Sequence, residues 1–193
     1  MNTYLDKWAA WLPANNPGYD ILTSSPMIQG LIQKILPMGQ TFVEWGYGTG
    51  YTAIALANQK RIVYAYDPAV KLLEHALAAQ EKHQVSFSGQ AHFTHDEYFL
   101  HPADIVYSQG LLEHFDNEGI IEIITEQLKY AKIAVVFSVP SENYPQTDFG
   151  DERLLDIAAW EKILEPFKDK LTQLYYYERR QHLMGVIRCQ TKS

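Results

Sequence analysis

Apolar positions along this chain change period several times, and each change marks an element. Met27, Leu31 and Ile35, flanked by Ile28, Ile32 and Leu36, repeat at helical spacing, with Pro26 before them and Pro37 after. That pattern predicts a helix over 26–36 with a broad apolar side. Upstream, Tyr4, Trp8 and Trp11 fall at i, i+4 and i+7, one face of a short aromatic helix, before a turn-rich run through Pro13, Asn15, Asn16, Pro17 and Gly18 to Tyr19. From residue 41 onward, short apolar runs alternate with helical ones. Strands are expected at 41–45, 61–66, 84–87, 103–108 and 133–139, and helices at 50–59, 68–82 and 117–130. The stretch 88–102 reads as a weaker helix candidate. Asp67 and Pro68 supply a cap and a first-turn proline for helix 68–82, whose core stripe reads Val70, Leu73 and Leu77. Ile120, Ile121, Ile124 and Leu128 form one side of 117–130. A last helix is expected over 151–165, followed by two β-rich segments, 172–179 and 182–190, close enough for a hairpin.

Such alternation, with apolar strands like Ile133-Ala134-Val135-Val136-Phe137, implies an α/β fold: a parallel sheet covered by helices on both faces. The closing hairpin would add an antiparallel strand. The 193 residues suffice for one domain, 1–193, divided as a helical lid at 1–39 and a core at 40–193.

Composition narrows the function. The net charge of −7 and pI near 5.4 argue against a general binder of nucleic acid or anionic membrane, both of which need basic patches. The single cysteine, Cys189, fits a cytoplasmic setting, and the first residues lack a signal-peptide pattern.

The chemistry concentrates at Glu44-Trp45-Gly46-Tyr47-Gly48-Thr49-Gly50, between a predicted strand and a predicted helix. Alternate glycines let the backbone turn tightly and approach a ligand closely. The lysine of a phosphate-binding P-loop is missing, and the G-x-G-x-x-G frame fits only from Gly48, with Ala53 last. Asp67 ends the second strand and can accept hydrogen bonds from ribose hydroxyls, although the same residue would also serve as an N-cap.

Three stretches resemble the class I S-adenosylmethionine-dependent methyltransferase family, small-molecule branch. Val43 to Gly50 is similar to the family's first motif, Tyr66-Asp67 to its ribose-binding second, and Asp104 to Phe115 to its fourth-strand motif. The resemblance implies a three-layer, Rossmann-like, seven-stranded sheet of order 3-2-1-4-5-7-6 with strand 7 antiparallel. It implies S-adenosyl-L-methionine held by Glu44, Gly46, Tyr47, Gly48 and Gly50 at its amino-acid end. Asp67 and Pro68 would lie at the ribose, and Ser108 and Gln109 beside the reaction centre. Gln90, in Gly89-Gln90-Ala91, would stand where the family has an acid meeting the adenine amine, with Asp96 as the fallback. His114, next to Glu113, is the candidate general base, since imidazole titrates near neutral pH.

The expected reaction is methyl transfer to an oxygen or nitrogen of a small molecule, without nucleic acid, membrane or metal. His92, His95, Asp96 and His101 crowd one connection, but their spacing matches no tetrahedral signature. The aromatics Tyr4, Trp8, Trp11 and Tyr19 and the loop 140–145 are lid candidates. Asp151 and Glu152 read as acids favoured by a helix N-terminus. Three alternatives stay open: a non-catalytic cofactor-binding or partner protein, a dinucleotide-dependent oxidoreductase, and an aminopropyl-transfer relative.

Overall fold

A computed structural model describes residues 3–15, 18–145 and 149–189. The side chains of Thr3, Tyr4 and Ile21 lie outside this description, as do Asn16, Pro17 and the expected strand end at Gln190.

Three helices open the chain: α1 (Thr3–Asn15), α2 (Tyr19–Ser24) and α3 (Pro26–Ile35). The apolar side read for α3 is the buried one, through Ile28, Leu31, Ile32 and Ile35. Strands and helices then alternate: β1 (Thr41–Trp45), α4 (Tyr51–Asn58), β2 (Ile62–Tyr66), α5 (Val70–His83), β3 (Gln90–Thr94), β4 (Ala103–Gln109), α6 (Asn117–Tyr130), β5 (Ala131–Pro140), α7 (Ile157–Ile163), β6 (Leu171–Tyr177) and β7 (His182–Arg188). They build one sheet of order β3-β2-β1-β4-β5-β7-β6, in which β7 runs antiparallel to β5 and β6. One apolar core fills the side carrying α1, α3, α4 and α5, and the other fills the side of α6 and α7.

Three sequence expectations are corrected. The third strand is Gln90–Thr94, not 84–87, so 88–102 is a strand followed by one 3₁₀ turn, Glu97–Phe99, instead of an α-helix. Only two of the five β3 side chains carry large apolar groups or lie fully inside (Ala91 is buried, Phe93 half-buried), because β3 is a sheet edge, and an edge strand lacks the continuous apolar run of a central one. Second, α5 buries Leu72, Ala76 and Ala79, whereas Val70 and Leu77 are exposed. Third, the last helix is only Ile157–Ile163. It starts at Asp156, whose carboxylate accepts from the Ala159 amide, and residues 151–156 are free of the helix to reach the site.

Gly89 owes its place to packing. A Cβ there would sit 1.9 Å from the Ala57 carbonyl oxygen and 2.9 Å from that of Arg61, both backbone atoms that cannot step aside. Gly89→Ala is therefore expected to cost about 2–3 kcal/mol of stability in denaturant melts, as overpacking does. A cost under about 0.5 kcal/mol would show that the α4–β2 corner yields.

Candidate active site

Sheet order places the carboxyl ends of β1 and β4 side by side, where ligands bind in open α/β sheets. A cavity of about 790 Å³ opens there, within the roughly 300–1,000 Å³ usual for small-molecule sites.

Its floor is the glycine turn. Gly46, Gly48 and Gly50 all have positive φ, at 79°, 55° and 77°. Side chains rarely adopt that conformation, so three alternate glycines are what lets this backbone face the cavity. The Gly46 amide donates to the Tyr66 carbonyl at 2.8 Å, and Gly50 precedes the first residue of α4. A Cβ on Gly48 would lie 2.7 Å from Leu12 Cδ2, so α1 rests directly on the turn.

Asp67, buried at the tip of β2, ties the turn to the next helix. Its Oδ2 accepts from the Gly48 amide at 3.0 Å and its Oδ1 from the Ala69 amide at 2.9 Å. Burial raises its pKa, and the two amides oppose the rise. Glu44, 3% exposed, closes the floor from β1. Burial pushes its pKa up to about 8, and the negative charge of Asp67 adds to the rise; the neighbouring Tyr107 hydroxyl and Ala53 amide offset part of it. Glu44 Oε2 and the Tyr47 hydroxyl are buried without a hydrogen-bond partner. Such polar atoms are costly unless a ligand satisfies them.

At the other end stands His114, on a single 3₁₀ turn after β4. Its Nδ1 lies 2.6 Å from Asp151 Oδ1, and its side chain is only 8% exposed. A carboxylate can only accept, so Nδ1 carries the hydrogen and Nε2 is left as the basic nitrogen. Asp151 is held by a tight turn: Glu152 accepts from the Phe149 amide at 2.5 Å and the Gly150 amide at 2.8 Å, and Gly150 has φ 101°. Trp8 of α1 covers His114 with ring centroids 5.2 Å apart.

Of the residues singled out by sequence, Glu44, Gly46, Tyr47, Gly48, Asp67, Pro68, Gln109 and His114 line this cavity. Gly50 supports the turn from below. Ser108 does not reach the cavity: it alternates with Gln109 along β4 and is buried, its hydroxyl without a partner. Gln90 is at the wrong end of the sheet. It begins β3, pairs with Ile62 at the start of β2, and its Oε1 contacts only His92. The carboxyl end of β3 is Thr94, whose carbonyl accepts from the Asp67 amide at 3.1 Å, so Asp96 lies on the correct side. Of the lid candidates, Trp8, Trp11, Pro140 and Tyr144 line the cavity, whereas Tyr19 stacks on His83 and belongs to the α4–α5 packing. The side chain of Tyr4 is outside the described residues.

Sequence reading missed Asp151, Glu152 and His182 as site residues. Asp151 and Glu152 follow Gly150, a signal for a turn, but Leu154, Leu155 and Ala158 at helical spacing pointed the other way, to a helix from 151. Nothing local marks His182. Among the described residues, His114, Asp151 and Glu152 also bring three potential metal-ligating atoms within 4.8 Å, unlike the histidines at 92, 95 and 101. Both oxygens of Glu152 already accept backbone amides, so the arrangement reads as a braced His–Asp pair.

The sheet order with its reversed β7, the glycine turn after β1 and the buried acid at the tip of β2 define the class I methyltransferase architecture. Residues 43–135 match the model of the methyltransferase domain family, from β1 and the glycine turn into β5. No curated protein matches the sequence. Among solved structures, the chain is similar to magnesium protoporphyrin IX methyltransferase (ChlM) from Synechocystis PCC 6803 with bound S-adenosylhomocysteine. That match has a TM-score of 0.68 at 16% identity, covering 97% of this chain and 94% of the other. It is similar to the N-methyltransferase NodS from Bradyrhizobium japonicum, also with bound S-adenosylhomocysteine: TM-score 0.62, 13% identity, 98% of each chain. An O-methyltransferase family protein from Burkholderia thailandensis matches with TM-score 0.65 at 12% identity, covering 100% of this chain and 62% of that one. At such identities these are likenesses of fold.

Proposed function

We propose that this chain transfers a methyl group from S-adenosylmethionine to an oxygen or nitrogen of a small-molecule acceptor, in one cavity roofed by the helices of residues 1–39. The observation that carries the proposal is the placement of the His114–Asp151 pair on the wall of the cavity whose floor holds the glycine turn, Glu44 and Asp67.

The floor fits that cofactor. Glu44 Oε2, buried and unpaired, suits its ammonium group, and Asp67 its ribose hydroxyls. Asp96 is the acid on the adenine side. When bound, S-adenosylmethionine supplies a sulfonium methyl open to in-line displacement, leaving S-adenosylhomocysteine. The protein's own contribution is alignment, exclusion of water by α1, and proton removal. His114 Nε2 takes the acceptor's proton, and Asp151 holds the ring in the tautomer that exposes Nε2 and stabilises the charged imidazolium. Positioning alone can supply several kcal/mol of rate enhancement.

Thermal melting tests the cofactor. At a hundredfold excess over its dissociation constant, S-adenosylmethionine or S-adenosylhomocysteine should add about 2.7 kcal/mol, and NAD or NADP nothing. A shift with NAD alone would overturn the reading. Turnover of an acceptor panel, followed as S-adenosylhomocysteine production, tests the base. His114→Gln should lower kcat about a hundredfold, and Asp151→Asn about tenfold, with cofactor binding unchanged. Unaltered kcat in both would leave alignment as the sole device.

A further inference from the structure

The acceptor end of the cavity has a definite electrical character. Glu113 and Glu152 line that end, Glu44 and Asp67 line the cofactor end, and among the described lining residues there is no lysine or arginine. Arg153, next to Glu152 in sequence, points its guanidinium elsewhere, donating to the Phe115 carbonyl and Asn117 Oδ1, each at 2.7 Å. Aromatic rings share the cavity with these carboxylates. Trp8 and Trp11 stack with centroids 5.5 Å apart, and Phe149 packs edge-on against both, at 5.0 and 5.4 Å. Both indoles line the cavity, and Trp8 also leans over His114.

Indoles and carboxylates lining one cavity attract cations, and the same charges repel anions. A carboxylate-bearing acceptor would meet like charge at the acceptor end, where Glu113 and Glu152 line the cavity. A neutral hydroxyl compound would make no use of the acids. From this juxtaposition we infer that the acceptor is a small organic amine with an apolar or aromatic body, admitted as its ammonium ion and methylated on nitrogen. The inference rests on the methyltransferase reading of the same cavity and selects within it.

An ammonium nitrogen has no free electron pair, so the base has a defined task. One N–H proton passes to His114 Nε2, with Nδ1 anchored on Asp151 throughout. The nitrogen lone pair then forms the new N–C bond while the S–C bond breaks, its electron pair staying on sulfur. The product leaves as a methylated ammonium with S-adenosylhomocysteine, and His114 returns its proton to water.

The test uses the full chain saturated with S-adenosylhomocysteine and three probes of one shape: 2-phenylethylamine, 2-phenylethanol and 3-phenylpropanoate. Calorimetry should show the amine binding about tenfold or more tightly than the alcohol, with the carboxylate weakest. Trp8→Leu should cost the amine about tenfold and the alcohol much less, and Trp8→Phe should restore part of the loss. With S-adenosylmethionine, tyramine, which offers an amine and a phenol on one body, should gain its methyl on nitrogen. With S-adenosylhomocysteine bound, equal affinity for the three probes, preference for the alcohol or the carboxylate, or methylation at the phenol oxygen overturns the amine inference alone. Failure of S-adenosylhomocysteine to bind overturns the methyltransferase reading and this inference together.

Discussion

Asp67→Ala should reduce affinity for S-adenosylhomocysteine about a thousandfold and lower the melting temperature of the free protein. Two losses combine. The carboxylate is buried and accepts the Gly48 and Ala69 amides, so its removal strands two backbone donors and loosens the glycine turn. Hydrogen bonds to a charged group contribute about 1.5–3 kcal/mol each, and a ribose would supply two. Asp67→Asn separates the contributions. The amide oxygen can still satisfy one of the two backbone donors, so most stability should survive while affinity falls. Calorimetric titration and a thermal melt on each variant give both quantities. Near-normal affinity in Asp67→Ala would reduce this residue to a helix cap.

Glu44 should make the free protein less stable as pH rises. Its ordinary pKa is near 4.5 and burial lifts it to about 8 in the folded chain. Between those values the folded state holds a proton that the unfolded state has released. Stability therefore falls with rising pH across that window, by about 4–5 kcal/mol in total, and levels off above it. Glu44→Gln should remove the slope and be the more stable form near pH 8 and above. Denaturant melts between pH 4.5 and 9 measure this; parallel curves for wild type and variant would mean that Glu44 is ionised in the folded state throughout. The same proton reports on the ligand. A cationic amino group beside Glu44 favours the carboxylate, so cofactor binding near pH 7 should release close to one proton. Calorimetry in buffers of different ionisation enthalpy would detect it, and Glu44→Gln would abolish it.

The two predictions involve residues that were legible in the sequence because of where they stand along the chain. Glu44, the three glycines and Asp67 sit at strand ends, and strand ends are marked by where an apolar run stops. Gln90 shows how that reading fails. The edge strand carries no apolar run, so β3 was expected six residues early, and a glycine required by the Ala57 carbonyl was read as part of an adenine site. Ser108 fails for a finer reason. It stands at the carboxyl end of β4 as expected, but alternation turns it to the other face from Gln109.

The alternation of strands and helices, the fold class and the glycine turn with Asp67 follow from sequence alone, since periodicity and turn chemistry act over a few residues and leave a readable trace. The surroundings of His114 were decided only by tertiary structure. Asp151 reaches His114 across 37 positions, Trp8 across 106, and His182 enters from β7. No local pattern records such meetings, because they depend on how α1 and the segment before α7 pack over the sheet. The short reach of periodicity explains why a methyltransferase-type fold could be read from the chain, while the His–Asp pair and the acidic, aromatic wall around it could not.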